Sequence, residues 1–377
     1  MNTFHFTHQF NGLKKLYVNY YVNKQRTSYV KNSRMSGPTI ESKSGIRTTH
    51  KKPANSPDRS GIYKNSLSLQ PLNFEKNDRM NTRKHTFREW MIAIRPWSFP
   101  ASAMPVITAT AYLFWKGADI NGLLALWALL NIVIFHAAGN TWSDYFDFRK
   151  QVDAEDTFGA KTLTQGMFSP KEILNLSLGL TLVAAIGGIG LLCLTGLPLL
   201  WIGLGGIGCT LLYPFLKFNA LGDLVILLAY AFLPTIGTSF VATGAIDWSV
   251  LLLALPVGLI TDGILHANNT RDTDTDKRAG IKTMAMAIGA RASAILYGFE
   301  VLFPYAWMGA LAILGHFPLT VFITFLTGMM AFGCARTMMN SLQGDRNIIS
   351  DLDVKTANLQ LMFSALLSLA FIVARFI

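Results

Sequence analysis

The sequence predicts an all-α, polytopic membrane protein with about nine transmembrane helices, on the strength of its hydropathy and the placement of its charges. Of its 377 residues, 51% are apolar and 15% charged, whereas soluble domains usually carry about a quarter charged residues. Successive apolar blocks approach the roughly 20 residues that a helix needs to cross a bilayer. We expect nine spans at residues 96–115, 122–143, 173–195, 197–216, 222–244, 248–269, 291–313, 317–339 and 356–376.

Taken in order, several blocks contain residues typical of a membrane bundle. The third and fourth include the closely spaced glycines of residues 187–190 and 203–206, which favour close approach of helices. The fifth, sixth and seventh contain Pro234, Pro256 and Pro304. Proline breaks a soluble helix, but neighbouring helices accommodate it in a membrane bundle.

The net charge of +11 is concentrated at the N-terminus. Residues 1–89 hold 17 basic and 5 acidic side chains, a net of +12, and residues 90–377 hold 16 and 17, a net of −1. We therefore expect residues 1–87 to be a basic, disordered extension, either transit-like or a mis-assigned start, and residues 88–377 to be the membrane domain. The near-neutral body excludes a nucleic-acid-binding domain.

Basic residues in the short connections predict the orientation. The connections after the even-numbered spans hold thirteen Lys and Arg residues, and those after spans one, three, five and seven hold only Lys116. Because cytoplasmic loops carry the excess of basic residues, the N-terminus is expected in the cytoplasm. We expect a multi-pass protein of the bacterial plasma membrane, with an organelle membrane as the alternative if the extension is a transit peptide.

Acidic residues bunch at the cytoplasmic ends of spans two and six. Asn140, Asp144 and Asp147 share one helical face, as do Asn268, Asp272 and Asp276 at steps of four. Such clustered carboxylates repel one another and need a cationic partner. Oxygen ligands without His or Cys indicate a hard cation such as Mg²⁺, which binds through few carboxylates plus substrate phosphates. Basic candidates for a phosphate lie on the same side: Arg95, Lys217, Arg271, Lys277 and Lys282.

At these residues the sequence resembles the UbiA superfamily of intramembrane aromatic prenyltransferases, and most closely its 1,4-dihydroxy-2-naphthoate polyprenyltransferases of menaquinone synthesis. The resemblance covers residues 88–377. It is most specific over residues 266–283, His-Ala-Asn-Asn-Thr-Arg-Asp-Thr-Asp-Thr-Asp-Lys-Arg-Ala-Gly-Ile-Lys-Thr. Residues 95–100 and 217–223 are similar to two further segments of that subgroup.

The resemblance implies a UbiA-type bundle in which two Asp-rich motifs hold Mg²⁺ and the diphosphate of a polyprenyl donor. The first motif departs from the family pattern, because Ser143 stands where Asn is common, and Asn140 is a candidate for the missing amide. The implied catalytic residues are Asp144, Asp147, Asp272 and Asp276, and the implied metal ligands are these four and Asp153. The implied substrate contacts are Asn140, Lys217, Asn268, Asn269, Arg271, Lys282 and Arg95.

Several alternatives stay open from the sequence. The aromatic acceptor is expected to be 1,4-dihydroxy-2-naphthoate, which loses its carboxylate to give demethylmenaquinone. Prenylation of 4-hydroxybenzoate, homogentisate or a glycerophosphate is the runner-up. An ion-coupled transporter is the alternative from another class, although its carboxylates usually lie near the bilayer midplane. No nucleic-acid partner is expected, and the sequence does not define an oligomeric state.

Overall fold

The computed structural model describes residues 84–150, 161–344 and 346–377, and within these ranges the protein is built from helices. The predicted extension, up to residue 83, lies outside the described residues, as does Asp153. The described ranges contain no strand apart from an isolated parallel bridge between Asn219 and Lys282.

Twelve helices follow one another along the described chain. Three of them are short and lie at the end of the bundle that contains both acidic motifs. They are α1 (Phe87–Ile94), α2 (Pro100–Trp115), α3 (Gly122–Arg149), α4 (Pro170–Thr195), α5 (Pro198–Lys217), α6 (Gly222–Thr243), α7 (Leu251–Arg271), α8 (Thr273–Arg278), α9 (Met284–Ile288), α10 (Ala290–Ile313), α11 (Leu319–Gln343) and α12 (Leu352–Ala374).

Eight helical segments of the described chain are long and apolar enough to cross a membrane, and they coincide with the second to ninth predicted blocks. The first block differs from the expectation. Residues 96–98 form a 3₁₀ turn, and the remaining helix α2 has only 16 residues. The prolines at both ends of this turn, Pro96 and Pro100, explain the division, because each lacks a backbone N–H and fixes its own φ angle. The all-α membrane fold is confirmed.

Helix α7 lies at the centre of the bundle. It packs against α6, α10 and α12, while α12 also packs on α2, and α7 is the most buried of the spanning helices. Helices α4 and α5 lie at the periphery and expose large apolar side chains such as Ile186 and Trp201. A helix that is apolar on its outer face faces lipid, so these two helices form part of the wall of the bundle.

The short helix α1 is fixed at both ends. Thr86 and Glu89 form a capping box at its start, and this satisfies two otherwise unpaired donors. The imidazole of His85 bonds Glu172 Oε1 at 2.9 Å and thereby ties α1 to the start of α4. At the C-terminal end Arg95 has φ 55°, in the left-handed region. The chain therefore turns sharply at Arg95 before it enters the bundle.

The end of the bundle opposite the acidic motifs is held by one ion pair. Lys116 Nζ lies 2.6 Å from Asp247 Oδ2, which links the end of α2 to the turn before α7. Asp247 also caps that turn, since its Oδ1 accepts a hydrogen bond from Ser249 N. Burial alone raises the pKa of Asp247, but hydrogen bonds from Lys116 and Ser249 outweigh it, so that the pKa is lowered.

Candidate active site

The first acidic motif lies on the last turns of α3, and its carboxylates are buried. Asp144 is only 4% exposed and is paired with the guanidinium of Arg95 through Nη2. The left-handed turn at Arg95 brings this side chain back towards α3. A buried carboxylate needs such a partner because an uncompensated charge is costly away from water.

Asn140 and His136 hold the loop that positions Arg95. The Asn140 amide nitrogen donates to Ile94 O at 3.1 Å and to Ser98 Oγ at 3.0 Å. One turn deeper, His136 is bonded to Ser98 and to Ser102 through its two ring nitrogens. The side-chain amide of Asn140, which the sequence predicts to contact substrate, thus bonds to this loop. In this arrangement it helps to position Arg95.

Asp147 faces the end of α5. Its Oδ2 lies 3.6 Å from Lys217 Nζ and accepts a hydrogen bond from Ser143 Oγ at 3.3 Å. Its other oxygen, Oδ1, is buried and has no hydrogen-bond partner within the described part of the chain. Ser143, the departure from the family pattern, therefore contributes to the motif through its hydroxyl group.

In the second acidic motif Arg271 is turned towards protein groups. Its Nε and Nη2 form a fork on the Asp272 carboxylate, both at 2.8 Å, and Nη2 also donates to Asn268 Oδ1. Nη1 lies 2.9 Å from Asp353 Oδ2 at the start of α12. In this arrangement Arg271, a predicted substrate contact, therefore links the second motif to the last span.

Asp276 brings the two motifs into one site. It is 7% exposed on the short helix α8. Burial raises the pKa of Asp276 to about 6, the charge of Lys217 lowers it, and the charges of Asp272 and Asp147 raise it further. Asp276 is therefore within electrostatic range of Asp147 of the first motif, Asp272 of the second motif and Lys217.

The remaining predicted residues lie around this centre. Asn269 is buried on α7. The side chain of Lys282 is exposed, and its backbone N–H donates to Phe218 O at 3.3 Å. This bond, with the bridge to Asn219, joins the loop that follows Lys217 to the loop after α8.

The donor set at this site fits a hard divalent cation that also binds phosphate. Within the described residues, no group of three or more His, Cys, Asp or Glu side chains lies close enough to hold a metal ion by itself. Mg²⁺ usually binds one or two carboxylates and completes its shell with water and phosphate oxygens. The buried, unpaired Oδ1 of Asp147 is a free acceptor of the required type.

An apolar groove opens beside the first motif, between α3, α4 and α5. Its lining residues are Phe135, Trp142, Leu178, Thr181, Ile207, Thr210 and Leu211.

The fold and this site define a polytopic membrane enzyme with two facing aspartate motifs at one end of its bundle. Residues 102–352 match the UbiA prenyltransferase family. The chain belongs to this family and is a prenyltransferase.

Sequence relatives agree with this assignment. UbiA prenyltransferase domain-containing protein 1 of Xenopus tropicalis is 33% identical over 255 residues, covering 66% of this chain and 72% of the relative. The homolog in Drosophila melanogaster is 35% identical over 228 residues, covering 58% and 63%. These names specify no acceptor, so the closer resemblance to naphthoate polyprenyltransferases stays a prediction.

Solved structures share the fold at low identity. The apo structure of a UbiA homolog from Aeropyrum pernix K1 has a TM-score of 0.56 and 15% identity, covering 74% of this chain and 96% of that one. A UbiA homolog from Archaeoglobus fulgidus, bound to GPP and Mg²⁺, has a TM-score of 0.51 and 14% identity, covering 74% and 99%.

Sequence reasoning missed several polar residues around the site, all of them buried except the partly exposed Asp353. They are His136, Asp223, Asp262, Glu300 and Asp353. Asp262 and Glu300 could have been found, because each is a lone acid inside an apolar block, and an ionisable residue at membrane depth indicates function by default. Nothing local distinguishes His136 or Asp353 from a packing residue or a solvated acid.

Proposed function

We propose that the protein transfers a polyprenyl chain from polyprenyl diphosphate to an aromatic acceptor in a Mg²⁺-dependent reaction. The observation that supports this most directly is the meeting of Asp147, Asp276 and Lys217 at one end of the bundle. Carboxylates for a divalent cation and a lysine for phosphate oxygens are the groups that a diphosphate needs.

Asp144, Asp147, Asp272 and Asp276 are the proposed ligand set; Asp147 lies 3.6 Å from Lys217, and Asp276 is within electrostatic range of both. Asp153 is proposed as a further ligand from the resemblance alone. Bound Mg²⁺ would act as a Lewis acid that neutralises the diphosphate as it leaves. Lys217 places its charge on the same oxygens and stabilises the negative charge that develops there.

The apolar groove beside the first motif suits the isoprenoid tail of the donor. Its hydrocarbon lining excludes water on that side. Water has to be kept away because the allylic cation formed on ionisation reacts with it. We propose that the tail lies in this groove and that its distal end lies in lipid.

For the acceptor we propose 1,4-dihydroxy-2-naphthoate, with decarboxylation to the prenylated naphthalenediol that is the reduced form of demethylmenaquinone. The support is the resemblance of residues 266–283 to the naphthoate subgroup. Arg95 is one candidate to bind the acceptor carboxylate, because it lies at the first motif and a quarter of its side chain is exposed. Lys282 is the exposed candidate. Prenylation of 4-hydroxybenzoate or homogentisate is the alternative.

The orientation in the membrane is proposed from charge. The acidic motifs and the basic connections share one end of the bundle, which we place in the cytoplasm according to the positive-inside rule. The relatives reported above are animal proteins and give no support to a bacterial plasma membrane, which stays a prediction.

Product analysis tests the proposal. Membranes containing the protein are incubated with geranylgeranyl diphosphate, Mg²⁺ and one aromatic acid at a time, and the products are identified by mass spectrometry. We expect a prenylated, decarboxylated naphthalenediol from 1,4-dihydroxy-2-naphthoate. If product forms from 4-hydroxybenzoate or homogentisate instead, the proposed acceptor is wrong and the proposed prenyl transfer stands. Absence of product from every acceptor would contradict the proposed function.

A further inference from the structure

Four ionisable side chains lie buried in the interior of the bundle, apart from the two aspartate motifs. This interior cluster consists of Asp223 on α6, Asp262 and His266 on α7, and Glu300 on α10. Their exposed fractions are 7%, 4%, 0% and 2%. Asp262 lies nine residues before the end of α7, or about 14 Å of helix into the bundle. None of the four belongs to the metal and diphosphate site described above.

His266 links the members of the cluster. Its Nδ1 lies 2.9 Å from Glu300 Oε1 and 3.9 Å from Asp223 Oδ1. Asp262 stands one helical turn before His266 and lies within electrostatic range of both Glu300 and Asp223. Three carboxyl groups thus lie within electrostatic range of one another, and the single imidazole among them can neutralise at most one.

The hydrogen bonds around His266 define where its protons lie. Thr270 Oγ1 donates to His266 O at 2.8 Å, so the 2.8 Å contact between Thr270 and Ser293 uses the serine proton. The 2.7 Å contact from Ser293 to His266 then requires a proton on Nε2. All of these bonds form together only if one further proton is shared between Nδ1 and Glu300, because a neutral imidazole has a single N–H.

Four buried oxygen atoms of the cluster have no hydrogen-bond partner among the residues that the structure describes. They are both oxygens of Asp223, Oδ1 of Asp262 and Oε2 of Glu300. Buried polar atoms of native proteins are normally paired, and unpaired carboxylates inside a membrane bundle are costly. An apolar side chain of similar size would be more favourable for stability alone. These buried oxygens are acceptors that a group with a hydrogen to donate can satisfy.

Asp223 is the member best placed to meet such a group. It stands in the first turn of α6, where the helix dipole favours an ionised carboxylate. It also follows Lys217 by six residues. Tyr213 lies within electrostatic range of Lys217 and Asp147 and also of Asp223 and Asp262. Tyr213 therefore has charged neighbours from both the interior cluster and the diphosphate site.

We propose that the interior cluster is the proton acceptor for the hydroxyl group of the aromatic acceptor, with Asp223 facing that hydroxyl and His266–Glu300 behind it. This inference rests on the proposed prenyl transfer. It assigns the acceptor to the interior side of the site and the diphosphate to the cytoplasmic side. It also identifies the acceptor class as hydroxyl-bearing aromatics.

The proton and electron changes balance as follows. The acceptor O–H bond breaks, its proton moves to Asp223, and the electron pair enters the ring. The ring carbon forms a bond to C1 of the donor while the C1–O bond breaks, and that electron pair leaves with the diphosphate. For a naphthoate acceptor, loss of CO₂ from the same ring carbon restores aromaticity, and the phenolate oxygen takes the proton back.

The test compares acceptors of different acidity in Asp223→Asn and Glu300→Gln variants. The two acceptors are 1,4-dihydroxy-2-naphthoate, kept reduced with dithionite, and a fluorinated analogue whose hydroxyl groups are more acidic. Mg²⁺-dependent binding of geranylgeranyl S-thiolodiphosphate, a donor analogue that does not ionise, reports whether the variants fold. Asp119→Asn is the matched control, since Asp119 is an exposed carboxylate away from the acidic motifs.

General-base catalysis contributes typically 10²–10⁴-fold. We therefore expect kcat of Asp223→Asn to fall about 100-fold or more with the parent acceptor and less than about tenfold with the fluorinated one, because an ionised hydroxyl needs no base. Donor-analogue binding stays within about twofold of wild type. Glu300→Gln shows the same acceptor dependence with a smaller loss.

Three results overturn the inference. They are kcat near wild type in both variants, an equal loss with both acceptors, and loss of donor-analogue binding in both variants, which would make the cluster structural. Failure of the proposed function itself is distinguished by the wild-type protein, which would then form no prenylated product with either acceptor.

Discussion

Lys217 Nζ lies 3.6 Å from Asp147 Oδ2, so that the last residue of α5 neutralises a carboxylate near the end of α3. The same lysine is the principal neighbouring cation of Asp276 on α8. One basic side chain therefore stands between the two acidic motifs. Binding of a divalent cation by these carboxylates would leave the charge of Lys217 available for phosphate oxygens.

Replacing Lys217 by Gln is expected to raise KM for the prenyl diphosphate about tenfold, equivalent to about 1.4 kcal/mol of binding. The physical reason is the loss of one charge on the diphosphate. Steady-state kinetics in membranes at saturating Mg²⁺ provide the measurement. Lys150→Gln is the control, because Lys150 lies at the same end of the bundle but stacks 4.1 Å from the Phe218 ring centroid. Equal changes in the two variants would contradict a specific role for Lys217.

Asp353→Asn is expected to destabilise the protein by about 2 kcal/mol, since it removes a hydrogen bond between charged groups. Arg271 is 8% exposed, and Asp353 is its anchor on the last span. The measurement is the apparent Tm of detergent-solubilised protein. Lys355→Gln breaks the exposed pair of Lys355 with Asp351 nearby, and such pairs contribute about 0–1 kcal/mol. A Tm loss no larger than that of this control would show that Arg271 does not depend on Asp353.

The Lys116–Asp247 pair predicts a pH-dependent stability. The pKa of Asp247 is lowered, so its contribution is present above its ordinary pKa of 3.8 and is lost as the pH falls through the lowered value. The hydrogen bond to Asp247 raises the pKa of Lys116, so its contribution is present below 10.5 and is lost above the raised value. Between these limits the pair stabilises the fold at a constant level.

Asp247→Asn isolates this charge effect, because Asn caps a helical turn as well as Asp does. We expect the variant to lose at most about 1 kcal/mol at pH 7, since both side chains are about a third exposed and solvent screens the pair. The difference from wild type should shrink below pH 4. A Tm difference that is unchanged between pH 7 and pH 3 would contradict the assignment.

The fold and the two acidic motifs could be predicted because each is a local pattern. A spanning helix is set by a continuous apolar run, and the face shared by Asp144 and Asp147 is set by helical spacing. The 3₁₀ turn at residues 96–98 was not predicted, although Pro96 and Pro100 provide a local reason for it. The length of the first helix depends on how far that turn extends.

The partners of the site residues could not be predicted, because they come from distant parts of the chain. Arg271 meets Asp353, 82 residues further on, and Asn140 meets the backbone of Ile94. Asn140, which its motif predicts to contact substrate, thus also holds a loop in place through this hydrogen bond. The interior cluster could not be predicted for the same reason, because Asp223 and Glu300 come close to His266 only when three helices pack together.

The central claim is that the two acidic motifs form one Mg²⁺-dependent prenyl transfer site. It is tested most directly by product formation from geranylgeranyl diphosphate and 1,4-dihydroxy-2-naphthoate in membranes containing Asp147→Ala or Asp272→Ala. Asp119→Asn is the control, and expression in each membrane preparation is matched by immunoblot. Both alanine variants are expected to lose transfer while the control retains it. Full activity in both alanine variants would contradict the assignment of the site.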